Sequence, residues 1–248
     1  MYTAEKLPLF PSLDPRTPAV EIFLAGCALA GGKVALACSF GIENVVLIDQ
    51  LRHHLQDVTV FAIDTGRLHE ETYTVADSIS QRYGITIHWY FPRHTDVEQL
   101  TREKGQFSFR ESLENRKECC TIRKVEPLQR ALAGFFAWTT GMRRAQNHTR
   151  AGQEPIEIDT VNGGLLKINP LTFWSEQQVW DYAERHALPV NRLHRQGYPS
   201  IGCAPCTRAV EPGEHPRAGR WWWEGPGHKE CGLHQRAEPV VGGNGAGI

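Results

Sequence analysis

An excess of charge of either sign is missing from this chain: 27 Lys and Arg face 28 Asp and Glu, a net charge of −1. That balance excludes the overall basic field by which proteins collect nucleic acid or anionic membrane, so neither is an expected partner; local anion sites remain open. No apolar run approaches the ~20 residues of a membrane-spanning helix. The opening Met1-Tyr2-Thr3-Ala4-Glu5-Lys6-Leu7-Pro8 lacks the basic-then-apolar order of a secretory signal. A reducing, cytoplasmic setting is therefore expected, and there the seven cysteines, an odd number, read as metal ligands or reactive thiols rather than as a disulfide set. Internal repeats are absent. So is the Gly-x-x-x-x-Gly-Lys-[Ser/Thr] loop of P-loop nucleotide hydrolases, which disfavours ordinary ATP hydrolysis of that class.

What is present is a regular alternation. Thr17-Pro18 opens a helix carrying Val20, Phe23, Leu24, Cys27 and Ala28 and ended by Gly31-Gly32. The short apolar run Val34 to Cys38 reads as a buried strand, closed by Ser39-Phe40-Gly41. A helix over Glu43 to Leu55 and a strand over Val58 to Ile63 follow, then Asp64-Thr65-Gly66. Helix Leu68 to Tyr83, strand Ile85 to Phe91, helix Thr95 to Lys104 and strand Phe135 to Thr140 continue the pattern, and Ser175-Glu176-Gln177-Gln178 is a capping-box start for a helix to about His186. Buried strands alternating with helices predict an α/β fold with a mostly parallel central sheet and helices on both faces. Ligands bind beyond the carboxyl ends of such strands, where Ser39-Phe40-Gly41, Asp64-Thr65-Gly66-Arg67 and Gly141-Met142-Arg143-Arg144 fall. Pro and Gly dominate from Gly197 onward, and the expected division is an α/β domain over 1–210 and a mobile tail over 211–248.

Cysteine placement carries the chemistry. Cys119-Cys120 lie in a polar stretch and Cys203-Ala204-Pro205-Cys206 in a Pro-rich loop, together four thiolates suited to zinc or to a [4Fe-4S] cluster. The tandem pair tilts the choice toward iron and sulfur, with a metal-free redox Cys-x-x-Cys as the remaining alternative. In a helical backbone Lys124 shares a face with Cys120. Cys27 and Cys38 read as small core residues, and Trp221-Trp222-Trp223 as a face that seats the tail or meets a partner. The Ser39 turn offers amides and a hydroxyl to a phosphate or sulfate, while the guanidinium groups of Arg143, Arg144 and Arg150 match oxyanions. Cys231 stands apart in Glu230-Cys231-Gly232-Leu233-His234; His228 and Lys229 favour its thiolate, Glu230 opposes it, and a nucleophile is the expected role.

Six segments together carry a resemblance: Ser39-Phe40-Gly41-Ile42-Glu43; Asp64-Thr65-Gly66-Arg67-Leu68-His69; Lys117-Glu118-Cys119-Cys120 with Arg123-Lys124-Val125; Thr140-Gly141-Met142-Arg143-Arg144-Ala145-Gln146; Gly202-Cys203-Ala204-Pro205-Cys206; and Glu230 to His234. From about Gly32 to His234 the chain resembles the assimilatory adenylyl-sulfate (APS) reductases, the iron–sulfur branch of the phosphoadenylyl-sulfate (PAPS) reductase family. The resemblance implies an adenine-nucleotide alpha-hydrolase-like fold and a [4Fe-4S] cluster on Cys119, Cys120, Cys203 and Cys206. It also implies substrate contacts from Ser39, Phe40, Gly41, Asp64, Thr65, Gly66, Lys124, Gly141, Arg143, Arg144 and Arg150, with Arg217, Arg220 and His234 closing over the substrate. Catalysis by Cys231, thioredoxin or a similar dithiol as reductant, and a homo-oligomer are implied as well. PAPS-specific members lack both cysteine pairs. Asn44 departs from the pattern, standing where many relatives carry an acid, and Glu70 stands where Pro is common. Alternatives are a PAPS or dual-substrate reductase, a tRNA sulfur-transferase-like enzyme, whose Ser-Gly-Gly-x-Asp-Ser loop is missing, and a cluster- or nucleotide-binding module.

Overall fold

A computed structural model describes residues 13–147 and 150–225. Helix α1 (Ala19–Ala30) leads into β1 (Val34–Ala37), α2 (Ile42–Gln50) and β2 (Val58–Ile63). Then come α3 (Glu70–Tyr83), β3 (His88–Tyr90), α4 (His94–Lys104), α5 (Leu113–Cys120), α6 (Glu126–Leu132) and β4 (Ala137–Thr139). The hairpin β5 (Ile156–Asp159) and β6 (Leu165–Ile168) and helix α7 (Glu176–Arg185) complete the elements. The six strands form one sheet in the order β3-β2-β1-β4-β6-β5, parallel throughout except for β5, which runs antiparallel at the edge. Among the described residues no helix is long and apolar enough to cross a membrane.

The alternation read from sequence survives with strands trimmed to their paired cores. Leu36 on β1 and Val46, Leu47 and Ile48 on α2 are fully enclosed, and the helices pack on both sheet faces over two separate apolar clusters. The capping box of α7 forms as expected: Ser175 Oγ accepts from the Gln178 N–H at 3.1 Å, and Gln178 Oε1 accepts from the Ser175 N–H at 2.8 Å. The hairpin β5–β6 was not read from sequence, because two four-residue strands are too short to show a period. Unread too was the continuous helical run α5–α6. Its joint, Thr121–Val125, is a π-helical turn, a form that recurs at functional sites, and the run buries Arg116, Cys119, Cys120 and Arg123 where an apolar stripe would be sought.

The tail expected from residue 211 requires correction over its described part. Through residue 225 it packs against the body, with Arg217, Arg220 and Trp221 buried. Two guanidinium groups, Arg116 and Arg220, each lie 4.7 Å from the Trp221 ring centroid. Arg116 donates from Nε and Nη2 to the two carboxylate oxygens of Glu224 at 2.8 and 3.0 Å, and both side chains are almost wholly buried. Composition pointed the other way because Pro and Gly report the absence of regular elements, not the absence of packing. Glu224→Ala strands a buried guanidinium and is expected to cost about 3–5 kcal/mol in chemical denaturation; a loose tail would show no change.

Candidate active site

The sheet reverses its strand order between β1 and β4, so the loops leaving these neighbours diverge and open a crevice. A cavity of about 560 Å³ fills it, of a size for a nucleotide. The two loops approach closely: a Cβ on Gly141 would lie 3.1–3.2 Å from Asn44 and Glu43, so any larger residue there would have to push the start of α2 away by a few tenths of an ångström.

Of the residues expected to meet substrate, Ser39, Phe40, Gly41, Thr65, Lys124 and Gly141 line this cavity, as do Arg143, Arg150, Arg217 and Arg220. Three others are turned elsewhere. Asp64 pins its own turn, accepting from the Gly66 N–H at 2.7 Å and the Tyr73 hydroxyl at 2.9 Å, and Gly66 supplies the positive φ of 70° that the turn requires. Arg144 donates to the Gln153 carbonyl at 2.5 Å and to Glu154 at 3.1 Å, and its guanidinium lies over Phe173. Cys231 and His234 lie outside the described residues.

Arg143 lines the cavity, but its charge is committed. It donates from Nε and Nη2 to Glu43 Oε1 at 3.2 and 2.8 Å, and Gln146 Nε2 donates to the same oxygen at 2.8 Å. Burial alone would raise the Glu43 pKa; the Arg143 charge and these hydrogen bonds outweigh it and hold the carboxyl below the ordinary range. Glu43 and Arg143 thus brace the α2 loop against the β4 loop, a partnership that neither residue's sequence context announced.

Beside the nucleotide-sized cavity lies a smaller one, walled by Cys119, Cys120, Cys203 and Cys206 with Arg67, Arg116, Arg123 and Lys124 around them. Segments 58 and 138 residues apart are joined here by Arg123, whose Nη1 donates to the Thr65 carbonyl at 2.7 Å, and by Thr65, whose hydroxyl lies 3.3 Å from Cys203 Sγ. Lys124 and Cys203 belong to both cavities and form the shared wall. Burial works against a thiolate at Cys203, but Lys124, the Thr65 hydroxyl and Arg220 overcome it and pull the thiol below its usual value. Cys206 has no such surplus of donors, and burial, reinforced by the neighbouring thiols, pushes it up to about 12. Burial likewise raises Cys38 to about 12 and Cys27 to about 11, as core residues.

A nucleotide-sized cavity at the switch point, sharing a lysine with a four-cysteine chamber, agrees with what relatives carry in their names. The Phosphoadenosine phosphosulfate reductase domain matches residues 33–209. The chain belongs to this family. It is 45% identical over 234 residues to the adenosine 5'-phosphosulfate reductase of Burkholderia cepacia, covering 94% of this chain and 93% of that one. With the enzyme of that name from Pseudomonas aeruginosa (strain LESB58) it is 49% identical over 228 residues, 90% of this chain and 84% of the relative. The crystal structure of phosphoadenylyl-sulfate (PAPS) reductase from Candida auris in its phosphate complex superposes with a TM-score of 0.66 at 28% identity, over 79% of this chain and 91% of that chain.

Proposed function

We propose that the protein is an adenylyl-sulfate reductase of sulfate assimilation, releasing sulfite and AMP. The observation that carries this reading is the shared wall. Lys124 and Cys203 face both cavities, and Arg217 and Arg220 line the larger one, so a nucleotide lodged at the switch point has a cationic end suited to its sulfate. Relatives named adenosine 5'-phosphosulfate reductase, matched over nearly their whole length, support the substrate.

The residues around the smaller cavity fit a [4Fe-4S] cluster. Its four cysteines stand around one chamber, and the tandem Cys119-Cys120 pair suits a cluster's four thiolate positions better than the two spaced pairs of a structural zinc site. The surrounding Arg67, Arg116, Arg123 and Lys124 balance the negative charge of such a group. Bound there, the cluster would supply electrostatics beside the sulfate end.

In the proposed chemistry the Cys231 thiolate attacks the sulfur of adenylyl sulfate, the sulfur–oxygen bond to AMP breaks, and a Cys231 S-sulfonate forms. Lys124, Arg217 and Arg220 hold the sulfate oxygens and stabilise the departing AMP. A thiolate of thioredoxin or a similar dithiol then attacks the Cys231 sulfur and expels sulfite. Its second thiol resolves the mixed disulfide, returning Cys231 as a thiol; the dithiol supplies both electrons and leaves as a disulfide. The test is sulfite release with thioredoxin, comparing adenylyl sulfate with its 3′-phosphorylated form, alongside iron and sulfide analysis. Turnover of adenylyl sulfate by protein holding about four irons per chain is expected; ATP consumption, or iron without sulfite release, would defeat the reading.

A further inference from the structure

The turn Ser39-Phe40-Gly41 was expected to offer its amides and hydroxyl to an anion. Hydrogen accounting around Asn44 reassigns the donors of Ser39. Asn44 is buried, and its Nδ2 donates to the Ala37 carbonyl at 3.0 Å at the end of β1. A carbonyl only accepts, so the NH₂ must lie on that side. The opposite atom, Oδ1, is met by the backbone N–H of Ser39 at 3.1 Å, which only donates, so that side must be the oxygen. Both ends fix the same orientation. The Ser39 hydroxyl lies 2.8 Å from this Oδ1, and two oxygens at that distance need a proton between them. Ser39 therefore spends both its N–H and its O–H on Asn44.

What remains of Ser39, an exposed residue on the cavity wall, is the lone pairs of its hydroxyl. We propose that Asn44 sets the hydrogen-bonding polarity of this wall: the Ser39 oxygen is an acceptor that reads an N–H or O–H donor of the bound nucleotide and is not a ligand of its phosphate or sulfate. The cationic groups Lys124, Arg217 and Arg220 are left as the anion subsite. Phe40 makes the arrangement rigid, since its side chain is 1% exposed and its φ is +57°, a conformation L residues hold only under constraint. This inference rests on the adenine-nucleotide reading and assigns a ligand contact within it. A ribose hydroxyl and the exocyclic amine of adenine share the required chemistry.

Calorimetric titration of the whole protein tests the assignment, with AMP, its 2′-deoxy, 3′-deoxy and 6-deamino analogues, and adenosine as probes. Ser39→Ala, which removes one exposed hydroxyl, is expected to weaken AMP about tenfold, the worth of one good hydrogen bond. That penalty should disappear for one analogue, the one lacking the donor, and persist for adenosine. Asn44→Ala frees the serine proton, and discrimination against that same analogue should fall below about twofold. A Ser39→Ala penalty that persists for all three donor-deleted analogues and vanishes for adenosine would mean that the hydroxyl serves the phosphate, overturning the proposal alone. A penalty under about twofold for AMP itself would overturn it too. Failure of the native protein to bind AMP would overturn this inference together with the nucleotide reading.

Discussion

Cys231→Ser should abolish sulfite release, lowering turnover by at least about a thousandfold, while AMP affinity stays within about twofold. A serine hydroxyl is essentially un-ionised at neutral pH, whereas His228 and Lys229 flank the thiol with positive charge that favours its thiolate despite Glu230. The other six cysteines are assigned elsewhere: four wall the smaller cavity, where the proposed cluster would take their thiolates, and Cys27 and Cys38 have thiols raised by burial to about 11 and 12. Mass spectrometry after mixing with adenylyl sulfate should find the sulfonate on Cys231 of the native protein and on no residue of the variant. An adduct on another cysteine, or retained turnover by the serine variant, would refute covalent catalysis at this position.

Lys124→Ala should cost about 10²–10³ in kcat/KM, the range for removing one preorganised charge from a transition state. The reason is its double membership. Its ammonium helps lower the Cys203 pKa against burial, and it lines the cavity that Arg217 and Arg220 also line. Iron analysis separates the two duties: a variant that keeps its iron but loses rate has lost the sulfate contact, and one that loses iron has lost support for the cysteine chamber. Full iron with kcat/KM within about threefold of native would remove Lys124 from the mechanism. Lys124→Arg is expected to recover only part of the loss, because a planar fork does not replace a compact ammonium.

The α/β class was legible because buried parallel strands are short continuous apolar runs, such as Val34–Ala37, punctuated by Gly and polar turns. The loaded turns at strand ends were legible for the same reason. The hairpin Ile156–Ile168 escaped because its strands are too short to show a period, and α5 escaped because it buries arginine and cysteine. Within the site, Arg143, Arg144 and Arg150 looked equivalent in sequence, yet Arg143 lines the cavity bound to Glu43, Arg144 turns away to Gln153 and Glu154, and Arg150 lines the cavity while donating to Gln146. Asn44 showed only as a departure from a pattern. Its hydrogen bonds to Ala37 and Ser39 span residues that must first be brought side by side by the β1–α2 turn.

By itself the sequence determined the layer architecture, the cysteine ligand set as a hypothesis and the solitary Cys231, since periodicity and residue chemistry are local properties of the chain. Tertiary structure alone decided that Cys119–Cys120 and Cys203–Cys206 wall one chamber and that Lys124 stands between it and the nucleotide-sized cavity. It also decided that residues 211–225 pack through Arg116 and Glu224, and that Ser39 gives its hydroxyl proton to Asn44. Each of these depends on who meets whom across the sheet's switch point, and hydrogen-bond direction and charge pairing are settled only when those partners arrive.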